Sequence, residues 1–428
     1  MSKFLSVKDD SITSIADSIR KKTGKTNKLT FPGEFVSEID GIQTGGGGST
    51  PAADLLPKDV NFFDYDGTII ASYTEDEARV LTELPTPPEH NGLVFQGWNY
   101  TLQEVIDNAD AADVGAMYTT DDGATRIKIV IASENALDFA LRYYQTGSGS
   151  VISWGDGETD TQTVSSVRAS HTYKKPGPYI IKIMPNEDCT LRFSVSGGMV
   201  YDISSEKSYI SKSAVIETNI GNRVTEITSA FKNCLLIKSV SMPNSVNTIG
   251  SAAFNNSGIG YVTIPACITS ISDDAFRNCQ AMQHISFPVN VQDIASWSFA
   301  NCNSIERINI QHVSNPGDYL FSDSHSLKNV VFNSEATYIG TSICKGCSSL
   351  SDVKFLGSVK RIYSYAFTYC YSLRQVDLTN CDSVPILSDV NVFMDSPSDC
   401  EILVPASLAE EWKTATNWTT YASRIKGV

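Results

Sequence analysis

The stretch AFRNCQAMQHISFPVNVQDI (275–294) decides the fold. Its phenylalanine belongs to a series: Phe231, Phe254, Phe276, Phe299, Phe321, then Cys344 in the same place, then Phe367, each 22 or 23 residues after the last. Three residues after each comes a small or sulfur residue: Cys234, Ser257, Cys279, Cys302, Ser324, Cys347 and Cys370. A period this regular marks one supersecondary unit stacked on copies of itself, a solenoid. Two apolar columns run with the series. One is Val240, Val262, Ile285, Ile308, Val330, Val353 and Val376; the other, two residues on, is Met242, Ile264, Phe287, Ile310, Phe332, Phe355 and Leu378. Alternation with period two predicts one strand per repeat, paired in parallel with its neighbours. A third column, Ile249, Ile271, Ile294, Ile339 and Ile362, closes each rung. In the rung of Phe299 and Ile308, Pro316 takes that position, so the ladder is expected to be distorted there.

These positions resemble the BspA-type leucine-rich repeat, AFxxC-x2-L-x2-V-x-(I/F)-P-x2-V-x2-I, over seven rungs within 205–400. The resemblance implies a surface-contact repertoire. The segment ILVPASLAEEWKTATNWTTYASRI, within 401–428, resembles the terminal segment of such proteins. Trp412 and Trp418 are expected to close the open end of the apolar column.

Ahead of the repeats the chain divides by composition. In 1–44, Ile12, Ile15, Ala16 and Ile19 share one helical face and Phe35, Ile39 and Ile42 another, which predicts a short helical pair too small to bury much alone. Residues 45–57, opening GGGGSTPAA, read as a flexible linker. Residues 58–125 read as a small β-rich module: a strand–turn–strand about Asp66-Gly67, a helix capped by Thr74 with Glu77 three residues on, a proline loop into a strand ending at Trp98, and a closing strand at 113–118. The order of prolines, glycines, Phe95 and Trp98 resembles the internalin-type B-repeat, which implies a β-grasp-like fold. Residues 126–204 alternate as an all-β unit. Trp154-Gly155-Asp156-Gly157, then His171-Thr172-Tyr173, then Gly177-Pro178-Tyr179 resemble the PKD-type immunoglobulin-like β-sandwich. The expected fold class is therefore mostly β and multidomain: a helical pair, a β-grasp-like module, a PKD-type sandwich, and a capped leucine-rich-repeat solenoid.

The net charge of −15 and the lack of basic runs argue against nucleic acid as a partner. No apolar run is long enough to insert in a membrane as a helix. The first residues lack the apolar core of a signal peptide, so synthesis in the cytosol without a visible address is expected. Most of the ten cysteines lie in the repeats. Buried thiols are expected, although strand spacing on adjacent rungs would let Cys279 and Cys302, or Cys347 and Cys370, approach.

Candidate chemistry is sparse. Asp64-Tyr65-Asp66-Gly67-Thr68 has the form of the haloacid-dehalogenase nucleophile motif, but that fold needs a long doubly wound α/β domain and here a hairpin follows, so an Asp-Gly turn is expected. Asp156, Glu158 and Asp160 could offer calcium three carboxylates, but calcium needs six or more oxygens at close range, and a solvated loop is the simpler reading of three acids on a tight turn. The expectation is no catalytic, cofactor or metal site. Surface remains. The outward position before the first inward column reads Tyr261, His284, Arg307, Asn329, Asp352 and Gln375; the one between the columns includes Asn309, Lys354 and Asp377. These rows could contact a glycan or a protein; any solvated sheet face shows similar residues.

Residues 1–43 resemble a segment of bacteriophage tail proteins. With no export signal in view, that resemblance implies a virion fibre or receptor-binding protein: 1–43 on other tail proteins, the repeats on a host-surface glycan or protein, and a homo-oligomer, trimeric as fibres often are. The alternative is a bacterial cell-surface adhesin.

Overall fold

The computed structural model describes residues 57–132, 137–194, 199–201 and 214–428. The expected helical pair, and the linker but for its last residue, lie outside the described residues. What is described is mostly β, with few and short helices.

The first unit has strands β1 (Val60–Phe63), β2 (Ile69–Tyr73), β3 (Leu93–Trp98) and β4 (Ala112–Thr120), and helices α1 (Glu75–Arg79) and α2 (Leu102–Asp107). The sheet order is β2-β1-β4-β3, with β1 and β4 parallel at its centre. Thr74 and Glu77 form the expected capping box, and Thr101 with Glu104 forms a second. Helix α1 is short and stops at Arg79. Its first turn holds three acids, so the cap and helix dipole sustain a single turn and a half. The unit's own core gathers Val60, Phe62, Trp98, Tyr100 and Tyr118.

Next come β5 (Thr125–Ile131), β6 (Asp138–Gln145), β7 (Ser150–Ser153), β8 (Thr159–Gln162), β9 (Ser166–Thr172), β10 (Gly177–Pro185), β11 (Leu191–Ser194) and β12 (Val200–Tyr201), forming two facing sheets. Neither sheet ends with this sandwich. Strand β13 (Val215–Asn219) pairs antiparallel with β5 on one side and parallel with β15 (Ser239–Ser241) on the other. Strand β14 (Val224–Thr228) pairs parallel with β11 and with β16 (Thr248–Ile249). Both sandwich sheets therefore extend onto the start of the solenoid, ending at β15 and β16, and one continuous core runs on from Ile127 to Ile425. The boundary expected at 204/205 falls among residues outside the described set.

The solenoid places each rung in register with the next. Tyr261, Val262 and Thr263 pair with His284, Ile285 and Ser286; Val330 pairs with Val353 and Val353 with Val376. All three apolar columns are buried. Phe231, Phe254, Phe276 and Phe299 stack face to face at 5.1, 5.1 and 5.2 Å. Two residues after each plug the chain turns left-handed, at Asn233, Asn256, Asn278, Asn301 and Asp323, where a short amide or carboxylate tolerates positive φ. Two residues before it the chain does so again, at Ala252, Trp297, Tyr319 and Tyr365 among others, which costs of order 1–3 kcal/mol each and persists because the stack over-determines it.

The sulfur column does more than fill space. Cys279, Cys302 and Cys347 donate to the carbonyls of Phe254, Phe276 and Phe321, one rung back, at 3.0–3.1 Å, and Ser324 does the same to Phe299 at 2.8 Å. The position needs a small donor, which is why serine and cysteine alternate there. The ten cysteines are thiols, none joined in a disulfide. Burial, opposed by Ser257, pushes Cys279 up to about 11.

Pro316 interrupts the solenoid without removing the rung. Asn315–Pro316 still pairs with Asp293–Ile294, but Tyr338–Ile339 begins a new sheet. The other ladder also breaks here, leaving one bridge between Arg307 and Asn329. Proline has no N–H to give the following rung. The repeat also outruns its sequence period: Phe393, 26 residues after Phe367, stacks on it at 5.5 Å. The strands Glu401–Val404 and Ile425–Gly427 extend the first ladder to the end. Helix α3 (Ala409–Thr414) and the 3-10 turn Trp418–Arg424 cover the column. Trp412 and Trp418 meet edge to face at 4.6 Å, and the Trp418 indole N–H donates to Pro385 O at 2.7 Å.

Phe276→Ala should lower stability by about 3–5 kcal/mol, read from denaturant unfolding, because it opens a void between two stacked rings. A disulfide exchange reagent should find one fast thiol per native chain, exposed Cys267, and the rest only on unfolding.

Candidate binding face

The outward rows of the first ladder do not all face solvent. Strand β4 and the turns beside it lie across the earlier rungs. Tyr261, at 2% exposure, stacks on Phe63 with ring centroids 5.1 Å apart, and His284 lies 5.3 Å from the same ring. The Asn99 amide donates to Ile264 O at 3.1 Å and to Ser286 Oγ at 2.9 Å, while its Oδ1 accepts from Gly115 N at 2.8 Å. Ser286 Oγ donates to Asp113 O, and Asn309 donates to Ala111 O. Arg307 reaches Lys58 O at 3.2 Å. Gly115 is required by this approach: a Cβ there would stand 2.3 Å from Thr263 Oγ1.

Asp113, His284 and Arg307 share the seam. Burial raises the Asp113 carboxyl above its ordinary value, against the pull of Arg307 and the Asn61 amide. Burial lowers His284, against the pull of Asp113. Each shift favours the neutral form at a closed interface.

The reading of Tyr261, His284 and Asn309 as an open contact row is thus corrected: these three are turned onto the chain's own N-terminal module, while Arg307 bonds to its edge and stays exposed. Asn329 and Lys354 are exposed and Asp352, Gln375 and Asp377 half-exposed, on rungs beyond the module. The sequence carried little signal for this split: Ser239, Ser241, Tyr261, Thr263 and Ser286 under the module are small or aromatic, but His284, Arg307 and Asn309 there are as polar as Asn329, Asp352, Lys354, Gln375 and Asp377 beyond it.

The other candidates are engaged within the fold. Asp64 Oδ2 lies 2.7 Å from His90 Nε2, and its backbone N–H donates to Thr68 O, closing the hairpin turn. Burial works against charge on His90, but the Asp64 hydrogen bond and carboxylate outweigh it and hold the imidazole above its ordinary value. In the sandwich, Asp160 accepts from the Trp154 indole at 2.8 Å and Asp156 from His171 at 2.8 Å, with Trp154 and His171 stacked at 5.0 Å. These carboxylates brace the turn. Among the described residues no group of three or more His, Cys, Asp or Glu is arranged to hold a metal ion.

Residues 203–374 match, in six copies, the family model described as BspA type leucine rich repeat region. Solved structures with similar chains include a T. pallidum leucine rich repeat protein, 23% identical over 36% of this chain and 73% of that one (TM-score 0.32). A leucine rich cell surface protein from Faecalibacterium prausnitzii is 19% identical over 50% and 63% (TM-score 0.30). The pneumococcal vaccine antigen PcpA is 12% identical over 50% and 65% (TM-score 0.33). A comparison with curated proteins finds no match.

Gly115→Val should prise the module off the rungs: small-angle scattering should show a larger radius of gyration and protease should cut near 121–124, and an unchanged radius and digest would refute the docking. Asn99→Ala should cost about 1–3 kcal/mol, since it strands buried partners on two rungs. For His90, a raised folded value means its ion pair contributes fully below about 6.5 and is lost as pH rises through the folded value. Asp64→Asn should therefore lower the His90 titration midpoint seen by NMR.

Proposed function

We propose that this is a non-catalytic contact protein of the bacterial-surface type, an adhesin whose repeat domain meets a protein or glycan partner. The observation that carries it is the exposed and half-exposed run from Asn329 to Asp377, which lies on the same ladder beyond rungs that already hold a folded module through stacked rings and side-chain amides. Such a face, rigid because every rung is pinned to the next, presents fixed side chains at strand spacing. The repeat-family match over 203–374 favours this reading, since repeats of the BspA type are characteristic of bacterial surface proteins. The virion-tail expectation rests on residues 1–43, outside the described residues, and gains no support here.

We read the sandwich as PKD-like and the first unit as β-grasp-like. The Trp154–His171–Tyr173 cluster supports the first, and the order β2-β1-β4-β3 with a parallel central pair supports the second. In this reading they are spacers, the first doubling as a brace on the repeats.

The test is adhesion of the full chain to host cells and matrix proteins, with the row reversed by Asp352→Lys, Lys354→Glu and Asp377→Lys. Binding should fall about tenfold or more, as loss of one or two central contacts would give. Equal binding by the reversed chain would remove the row from the site.

A further inference from the structure

The second ladder carries a groove that the module leaves open. It has a volume of about 530 Å³ and crosses four successive rungs, from Ser270 to Tyr338. Its position follows from Pro316, where that ladder is interrupted before Tyr338–Ile339. Small residues on three successive rungs, Ser272, Ala295 and Gly317, are part of its lining. Its far end is Tyr338, a tyrosine 55% exposed.

The chemistry of the lining narrows what fits. Asp273 and Asp293 are exposed and line the groove, and neither makes an ion pair among the described residues. The Asn315 amide donates to Asp293 Oδ1 at 2.7 Å, so a carboxylate and an amide stand side by side on adjacent rungs. No lysine, arginine or histidine lines the groove, which disfavours phosphate, sulfate or another anionic ligand. The remaining polar lining is hydroxyl-rich, with Ser270, Ser296 and Thr337. Paired acceptor and amide groups suit the vicinal hydroxyls of a sugar, and an exposed aromatic ring suits the apolar face of one.

We infer that this groove binds a neutral glycan. The inference rests on the contact-protein reading and gives it a ligand class and a second site, on the ladder opposite the Asn329–Asp377 row. Tyr338 supplies the stacking platform. Asp293 and Asn315 fix the orientation of a hydroxyl pair, and the small side chains at Ser272, Ala295 and Gly317 leave room for a chain of sugars along the rungs.

The probe is a printed array of neutral host-type oligosaccharides, neutral bacterial polysaccharides, and their sialylated and sulfated counterparts, with lysine-rich peptides alongside. The full chain should bind at least one neutral glycan and discriminate against the charged forms. Tyr338→Ala and Asp293→Ala should each weaken that binding about tenfold with an unchanged unfolding midpoint, since both side chains are exposed. No binding to neutral glycans overturns the inference, as does binding indifferent to both substitutions or preference for the cationic peptides. The host and bacterial arms of the array distinguish the two sources of the sugar. If cell adhesion persists and still depends on the Asp352–Asp377 row while the array stays blank, the groove assignment fails alone. If adhesion is absent too, the contact-protein reading fails with it.

Discussion

An apolar column made of stacked rungs is stable only if both of its ends are shut. Each rung of this solenoid buries its Phe plug and its inward residues against the rung before and the rung after. The first and last rungs have one neighbour each, and the chain supplies a different substitute at each end. At the start, β13 and β14 are shared with the sandwich, so the first rung rests on a preformed pair of sheets. At the finish, Trp412 and Trp418 fill the last layer and a parallel strand covers the edge. The sandwich is thus structurally the first layer of the solenoid.

Closing the ends leaves the faces, and the chain spends part of one on itself. The module lies over the earlier rungs through a seam that combines ring stacking with amide bonds to backbone carbonyls. This divides the molecule functionally. The earlier rungs serve cohesion, the later rungs stay open, and the Pro316 interruption lies between them, where both ladders restart.

The repeat was legible in the sequence because its signal is one-dimensional: a strand with two inward residues returns at a fixed interval, and no distant contact is needed to see it. The Trp412–Trp418 closure was legible on other grounds, the resemblance of its segment to a terminal segment and the need to cover an open apolar column. Phe393 escaped because an insertion stretches its interval to 26, although its ring sits squarely on Phe367. The left-handed turns at Trp297, Tyr319 and Tyr365 escaped because propensity argues against bulky residues there and only the stack enforces them. The docking of the module escaped because it depends on where a separate core of its own, built on Phe62 and Trp98, comes to lie. The groove escaped likewise, since a run of small residues at 272, 295 and 317 has no meaning until the rungs are aligned.

The shared strands have a consequence for how the chain is made. Synthesis runs from the N-terminus, so the sandwich emerges before any rung. When β13 and β14 appear they meet sheet edges already in place, and each later repeat lands on the one before it. Rung formation then advances in the direction of translation by local additions, with a single growing edge exposed at any moment. Trp412 and Trp418, which cover that edge, follow the last rungs in sequence, so the edge stays bare only until they emerge and pack.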